Sequence, residues 1–318
     1  MLTFRSRGSK IVVVGTGLIG TSYAFTMMNQ GLCEELVLVD QNHEKAEGYA
    51  MDLNFGLPFA HPIKIWAGDY TDCQDADIVV ITTCADPLLD ETQDDSLEQS
   101  AQMIRDIVDH VMASGFDGIF LIATHPTDIL SYVSWKYSGL PSNRIIGLGT
   151  ILDTARLKYL LGQVYQVNPI DVHAYIMGEQ GETEFPVWSH ADIGRRSIAD
   201  HLKTDKGPSQ RELDQIFENV RDTALHITER KGIPFYSEAM GLVRLTRAIL
   251  HDEHSVLTVS CLLSGEYDLR NLYISVPAVV NRTGVQEIIE LNLPLREKEK
   301  LRYSANILKR SMSKILIR

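Results

Sequence analysis

Three glycines near the start of the chain have the spacing of a phosphate-binding loop. The candidate loop residues are Gly15, Gly17, Leu18, Ile19 and Gly20, in the pattern G-x-G-x-x-G. Such glycines allow a tight turn and let the backbone approach a pyrophosphate at a helix N-terminus. Asp40 ends the next strand pattern, where a carboxylate accepts hydrogen bonds from ribose hydroxyls and repels a 2′-phosphate. The pattern predicts an NAD site rather than an NADP site; the alternative is a glycine turn that only packs a helix on a strand.

The segments around this loop have the pattern of an α/β protein. Short runs that are apolar throughout alternate with segments of helical periodicity, and such runs are typical of parallel strands covered on both faces. Strands are predicted over 10–14, 36–40, 63–66, 78–82 and 118–122, and helices over 21–30 and 100–114. The alternation predicts βαβ units and a Rossmann-type doubly wound parallel sheet.

The pattern changes after about residue 150. The second half predicts a helix from 152, a strand over 172–177, a loop over 178–184, helices over 210–231 and 237–251, a β-hairpin over 255–276 and a charged helix over 297–317. A chain of 318 residues is long enough for about two domains. We therefore expect an NAD-binding Rossmann domain over 1–149 and an α+β substrate domain over 150–318.

Composition argues against several classes of function. The chain has 30 Lys and Arg against 42 Asp and Glu, a net charge of −12, whereas nucleic-acid binding usually needs clustered basic residues. The apolar runs are too short for a membrane span or a secretory signal. The four cysteines form no CxxC pair, and the histidines show no metal-ligand spacing. We expect a cytoplasmic protein that binds a small molecule, with no nucleic-acid, membrane or metal partner.

Several longer segments resemble a known family. They include GTGLIGTSYAF (15–25), GTILDTARLKYLLG (149–162), VHAYIMGEQGETEFPVWSHA (172–191) and VPAVVNRTG (276–284). In collinear order, along nearly the whole chain, they resemble the bacterial L-lactate dehydrogenases of the lactate/malate dehydrogenase family. The resemblance implies hydride transfer between a nicotinamide and C2 of a 2-keto or 2-hydroxy acid. Such a match indicates the fold, but the function has to be argued from the site.

Two residues of the implied catalytic set are kept. In the family, an Asp orients the catalytic His, and an Arg three residues later clamps the substrate carboxylate. Asp153 and Arg156 match these positions, and their i, i+3 spacing puts both on one face of a helix. A buried Arg–Asp pair can also persist for structural reasons, so a catalytic and a structural interpretation both stay open.

Other positions of the implied set are changed. Gln180 stands where the family has its catalytic His, and Gln93 stands where an Arg on a mobile lid polarises the substrate carbonyl. An amide has no proton to transfer near pH 7. Thr124 and His125 are further candidate cofactor-binding residues, and His125 replaces an Asn that in the family hydrogen-bonds the substrate oxygen.

The implied pocket and lid also differ in charge. Pro234 and Glu238 stand where the family usually has a Thr and an apolar residue beside the nicotinamide and the substrate. From Cys84 to Glu98 there are six acidic residues and no Lys or Arg. A lid that closes over an anionic keto acid would normally bring positive charge. The simpler interpretation is a solvated acidic loop; the alternative is a lid that binds a cation.

These changes lead to three hypotheses. Loss of a general acid typically costs ~10²–10⁴ in rate, and loss of a carbonyl-polarising group another ~10²–10³. We therefore predict an NAD-binding protein deficient in pyruvate and lactate turnover, a pseudoenzyme or regulatory subunit. A second hypothesis is an active oxidoreductase on a changed, amine-bearing substrate, with His125 as a relocated acid–base and Glu238 selecting the amine. The third is an ordinary L-lactate dehydrogenase that carries tolerated substitutions.

The resemblance also implies assembly and an effector site. Family members are tetrameric, so we expect a homo-oligomer, dimer or tetramer, or co-assembly with an active paralogue. In members that fructose bisphosphate activates, an Arg and a His bind the anion between subunits, and Lys158 and His173 match these positions. Lys lacks the bidentate fork of Arg. Weak binding of the effector and surface residues without a ligand both stay open.

Overall fold

The structure is a computed structural model that describes residues 9–83, 93–201 and 208–316. Its helices are α1 (Leu18–Gln30), α2 (His43–Gly56), α3 (Gln93–Ala113), α4 (Thr127–Ser138), α5 (Ile151–Tyr165), α6 (Ile198–His201), α7 (Gln210–Lys231), α8 (Phe235–Leu250) and α9 (Leu295–Leu316). None of the helices within these ranges is long and apolar enough to cross a membrane.

The strands follow in the same order along the chain. They are β1 (Lys10–Val14), β2 (Glu35–Val39), β3 (Lys64–Ala67), β4 (Ile78–Ile81), β5 (Ile119–Ile122), β6 (Ile145–Gly147), β7 (Val172–His173), β8 (Ile176–Met177), β9 (Phe185–Pro186), β10 (Asp192–Ile193), β11 (Arg196–Ser197), β12 (Ser255–Ser264), β13 (Arg270–Asn281) and β14 (Gly284–Ile288).

A parallel sheet organises the first half of the chain. Its strand order is β3-β2-β1-β4-β5-β6, and each neighbouring pair is parallel. Every residue of β1 (KIVVV) and β4 (IVVI) is buried, because helices cover both faces of the sheet. The Rossmann-type doubly wound sheet predicted from the sequence is confirmed.

The sheet continues into the second half of the chain. β12 is antiparallel to β6, where Ser260 lies opposite Gly147, and β13 and β14 extend the sheet outward. A Cβ at Gly147 would lie 2.8 Å from the Cβ of Ser260, so this close approach requires glycine. The hairpin predicted over 255–276 is longer in the structure, where β13 extends to Asn281 and β14 adds a third strand. The single strand predicted over 172–177 is wrong: β7 pairs with β10 and β8 with β9.

The carboxyl ends of the parallel strands position the candidate site residues. Gly15 follows β1, Asp40 follows β2, Thr82 follows β4 and His125 lies beyond β5, while α5 begins shortly after β6. Parallel strands end at the same edge of a sheet, and α/β proteins bind ligands at that edge where the strand order reverses. We call this side of the sheet the carboxyl edge.

Helices of the second half pack beside this edge. Leu157 of α5 and Leu213 of α7 belong to a small buried core that is separate from the main one, and α5 also packs against α8. Each fully buried leucine contributes about 2 kcal/mol. A buried hydrogen bond of 2.8 Å joins the hydroxyls of Tyr23 on α1 and Thr246 on α8. These contacts fix α5, α7 and α8 relative to the sheet.

Gly20 marks a close approach of α1 to the loop after β1. A Cβ at Gly20 would overlap the carbonyl oxygen of Gly15 and lie 2.7 Å from Oγ1 of Thr82. We expect Gly20→Ala to lower the free energy of unfolding by about 1–3 kcal/mol, measured in urea, because the backbone would have to move. Gly48→Ala is the matched control: Gly48 is exposed on α2, and a Cβ added there would meet no atom within 4 Å. That control should be neutral or stabilising by up to about 1 kcal/mol. Equal effects of the two substitutions would contradict the close approach.

Candidate functional site

The loop between β1 and α1 has the backbone of a pyrophosphate site. Gly15 has φ of +104°, a conformation that favours glycine. Gly17 is the N-cap of α1, which has neither a side-chain cap nor an acidic residue in its first turn. A Cβ at Gly17 would meet nothing within 4 Å, so the space over this helix end is open. The first-turn N–H groups, beginning at Leu18 and Ile19, together with the positive end of the helix dipole, fit a phosphate group.

Asp40 closes this loop from the neighbouring strand. Its Oδ2 accepts hydrogen bonds of 2.7 Å from both N and Oγ1 of Thr16, and its Oδ1 accepts one of 3.0 Å from the N–H of Asn42. Partial burial acts to raise the pKa of Asp40, but these hydrogen bonds outweigh it and lower the pKa. The ionised carboxylate keeps a lone pair on Oδ1 for a ribose hydroxyl. Thr124, two residues after the end of β5, is buried, and its hydroxyl donates a hydrogen bond to the carbonyl oxygen of Thr83.

A cavity of about 650 Å³ brings together six of the predicted site residues. Those that line it are His125, Asp153, Arg156, Gln180, Pro234 and Glu238; further lining residues, which were not predicted from the sequence, include Glu182, Glu184, Arg221 and Asp222. Gln93 begins α3, but its side chain, like residues 84–92 of the predicted acidic lid, lies outside the described residues. The cavity is the place where a second substrate could meet the cofactor domain.

An ion pair and a buried carboxyl group lie at the wall of this cavity. Nη1 of Arg156 is 2.6 Å from Oδ1 of Asp153, and their side chains are 16% and 8% exposed. Burial raises the pKa of Asp153, and Arg156 opposes the rise. Glu184, in the loop before β9, is also buried; burial, followed by the neighbouring charge of Asp153, raises the pKa of Glu184 to about 9. Glu184 is therefore protonated at neutral pH and hydrogen-bonded to Asp153.

Glu238 adds a third buried carboxyl from the first turn of α8. The residue is 7% exposed, and its Oε2 has no hydrogen-bond partner among the described residues. Burial raises the pKa of Glu238 to about 7, with Arg156 lowering it and Asp153 raising it further. Three carboxyls thus surround one guanidinium group. In the sequence, the only sign of Glu184 was an acidic residue directly before the apolar pair Phe185–Pro186.

His125 and Gln180 face the same cavity from two loops. The side chain of His125 is exposed at the cavity. Desolvation by the surrounding protein lowers the pKa of the imidazole, while the charge of Asp153 raises it and that of Arg156 lowers it further. The imidazole is therefore neutral at pH 7. The N–H of Gln180 donates to Oδ2 of Asp128 at 2.9 Å, and burial raises the pKa of Asp128 to about 7. Asp128 was missed because this contact joins residues 52 positions apart in sequence.

The candidate effector residues lie on neighbouring elements. Lys158 is half-buried on α5, where burial lowers its pKa, and His173 is exposed on β7, which packs against α5. Neither belongs to the described lining of the cavity. An anion at these two residues would occupy a separate site.

Comparisons with known proteins agree with this architecture. Residues 9–147 match the NAD binding domain of the lactate/malate dehydrogenases, and residues 150–317 match their alpha/beta C-terminal domain. The chain is 52% identical to an L-lactate dehydrogenase of Priestia megaterium over 314 residues, 99% of each chain. The chain belongs to the lactate/malate dehydrogenase family. An L-lactate dehydrogenase of Geobacillus kaustophilus is 54% identical over 304 residues, covering 95% of this chain and 96% of the relative.

Solved structures from the family share the fold. A lactate dehydrogenase from a deep-sea metagenome library, MGS-M5, matches with a TM-score of 0.95 and 47% identity, over 97% of this chain and 99% of its own. The ligand-bound minor L-lactate dehydrogenase of Enterococcus mundtii matches with a TM-score of 0.95 and 40% identity, over 98% and 99%. The family resemblance and NAD as the cofactor are confirmed. When bound, NAD supplies the nicotinamide carbon that exchanges hydride.

Glu238 makes the stability of the fold depend on pH. Its pKa is raised from an ordinary value of 4.5 to about 7, so the folded chain holds this proton more tightly than the unfolded chain. The resulting stability is complete below about pH 4.5 and is lost as pH rises through about 7. We expect Glu238→Gln to remove this loss, so that the variant gains about 3 kcal/mol relative to the unsubstituted chain between pH 5 and pH 8 in urea unfolding.

Glu182→Gln is the matched control for this experiment. Glu182 lines the same cavity but is exposed, so its substitution should leave the difference between pH 5 and pH 8 unchanged. The same pH dependence with and without Glu238 would show that this carboxyl is not buried.

Proposed function

We propose that this chain is an NAD(H)-binding member of the L-lactate dehydrogenase group that is deficient in pyruvate and lactate turnover, as a pseudoenzyme or a regulatory subunit. The observation that carries the proposal is the amide of Gln180 in the cavity, at the position where the resemblance implies a catalytic His. Its backbone is held by Asp128 and its Oε1 is buried. A neutral amide cannot act as a general acid near pH 7, which typically costs ~10²–10⁴ in rate.

The charge of the cavity supports the same proposal. Glu238 is buried beside the Arg156–Asp153 pair and has a pKa of about 7, so a keto acid would bring its carboxylate toward a carboxyl group that is partly ionised at neutral pH. Like charges that are shielded from water repel each other strongly.

A regulatory role would act through other subunits, and exposed apolar side chains support assembly. These side chains are Leu18 and Phe25 on α1, Met51 and Phe55 on α2, and Phe59, which is 92% exposed. Contiguous exposed apolar surface usually marks an interface. The partner in this proposal is a second copy of the chain or an active paralogue, and fructose bisphosphate at Lys158 and His173 would be an effector of that assembly.

A second candidate function is an active oxidoreductase on a different substrate, with His125 as the relocated acid–base. The observation that favours it is the neutral imidazole of His125 in the same cavity as Arg156. A neutral imidazole can accept or donate a proton at a reacting oxygen or nitrogen. In that case the protein would be active without the His that Gln180 replaces.

Turnover and cofactor binding are measured together to test the first proposal. We expect NADH to bind in a fluorescence titration, whereas pyruvate-dependent oxidation of NADH falls at least ~10²-fold below an ordinary rate of about 1–10³ per second, with or without fructose bisphosphate. The double substitution Gln180→His, Gln93→Arg should raise the rate, and Gln180→Asn, which keeps the amide, should not. Ordinary pyruvate turnover would favour an L-lactate dehydrogenase with tolerated substitutions. Failure to bind NADH would refute the cofactor part of the proposal.

Assembly is tested by the mass of the protein in solution. We expect sedimentation to give a multiple of the monomer mass, and Phe59→Asp to shift it toward the monomer, because a buried carboxylate in an interface is costly. Tyr303→Asp is the control: Tyr303 is 62% exposed on α9, which packs against α3 and α4, and its change should leave the mass unaltered. A monomeric unsubstituted chain would contradict the proposed assembly.

A further inference from the structure

The cavity contains acceptor atoms that have no donor. Oε1 of Gln180, Oε2 of Glu184 and Oε2 of Glu238 are buried, and none has a hydrogen-bond partner among the described residues. The two glutamates are only 6% and 7% exposed, and all three side chains line the cavity. A buried acceptor without a donor typically costs about 1–3 kcal/mol, and more when it is charged. These atoms call for a ligand that brings hydrogen-bond donors.

The charge of the cavity selects the kind of donor. Among the described lining residues there are five carboxyl groups and two guanidinium groups. One guanidinium, Arg156, is already paired with Asp153. The other, Arg221, is exposed and lies over the ring of Phe217, 5.5 Å from its centroid. His125 is neutral and Glu184 is protonated at pH 7, so Glu238, whose pKa is about 7, supplies the buried negative charge that selects a cationic donor.

We propose that this cavity binds a small carboxylic acid that also carries a primary ammonium group, with the ammonium on Glu238, Glu184 and the amide oxygen of Gln180, and the carboxylate on Arg156. An ammonium group has three N–H donors, one for each unpaired acceptor. The inference rests on the proposed function in one respect, that this cavity holds the ligand that accompanies NAD(H).

The guanidinium of Arg156 suits the other end of such a ligand. It donates from Nη1 to Asp153, and a guanidinium carries five N–H donors in a planar fork that matches a carboxylate. A buried charge is tolerated when it is paired and hydrogen-bonded, and this ligand would pair both of its charges. No group of His, Cys, Asp or Glu placed to hold a metal ion occurs in the described ranges, which favours an organic cation.

Isothermal titration calorimetry with four probes tests the proposal. L-Lysine and 4-aminobutyrate carry both groups, butyrate lacks the ammonium and butylamine lacks the carboxylate. We expect at least one of the first two probes to bind at least tenfold more tightly than butyrate and butylamine, with NADH present. Equal affinity of butyrate, or no binding of either amino acid to the NADH complex, would overturn the inference. Neither result contradicts the proposed function, which would be contradicted by an ordinary rate of pyruvate turnover.

Substitutions then locate the ammonium group. At pH 8, Glu238→Gln should weaken binding about 10–100-fold, because a neutral amide replaces the carboxylate that accepts from the ammonium group. Glu184 is protonated at this pH, so Glu184→Gln, which keeps a neutral carbonyl oxygen, should weaken binding less than Glu238→Gln does. Glu182→Gln removes the same formal charge from an exposed position of the same cavity and should change the affinity less than twofold. Equal losses of affinity in all three variants would show a diffuse effect of charge and would contradict binding of the ammonium group at the two buried glutamates.

The affinity should also depend on pH. The other titratable and charged groups that line the cavity are His125, Asp153, Arg156, Glu182, Glu184, Arg221 and Asp222. Burial raises the pKa of Glu238 to about 7, so its ionised fraction rises about tenfold between pH 6 and pH 8, while a primary ammonium stays protonated. We expect the affinity of the binding probe to rise about tenfold over this interval, and Glu238→Gln to remove most of the rise. An affinity that falls with pH would contradict the proposal.

Discussion

The ion pair between Arg156 and Asp153 is the interaction on which the rest of the cavity depends. It occupies one turn of α5, a helix whose start is set by the end of β6 at the carboxyl edge. Glu184 and Glu238 are buried beside it, and Arg156 offsets the rise in pKa of both carboxyls, with Arg221 adding to this effect at Glu184. Breaking a buried ion pair by removing one partner typically costs about 3–5 kcal/mol, since the other charge is left uncompensated. Removing either partner of the pair would therefore change the charge balance of the buried carboxyls beside it.

The framework of the chain and the cavity beside it depend on different features of the sequence. The framework is retained: the glycine loop, Asp40 and the parallel sheet form a dinucleotide site whose geometry follows from backbone conformation and helix dipoles. The cavity beside it is built from side chains, among them Gln180 and Glu238, and the proposed function rests on these two residues. A fold shared at a TM-score of 0.95 does not by itself fix the chemistry of such a site.

The sequence predicted the elements whose pattern is local. The apolar strands around the glycine loop are examples, because burial on both faces leaves an uninterrupted apolar run. Helix α4 was not predicted, since its residues are buried on almost every side and no polar face reveals a helical period. Six cavity residues followed from matched segments, but Glu184 and Asp128 act through contacts across 31 and 52 positions of the chain. Pairings of that kind, and the pKa values they produce, depend on the three-dimensional packing.

The crowding of buried carboxyls around one guanidinium group can be measured directly by NMR. In a chain labelled with ¹³C at the glutamate side-chain carboxyls, a titration from pH 4 to pH 10 follows each signal, assigned with Glu184→Gln and Glu238→Gln. We expect one carboxyl that titrates with a pKa of about 7 and another with a pKa of about 9, each missing from its own variant. If every glutamate titrates near its ordinary pKa of 4.5, the cavity is solvated, and both the charge and the ligand assigned to it here are wrong.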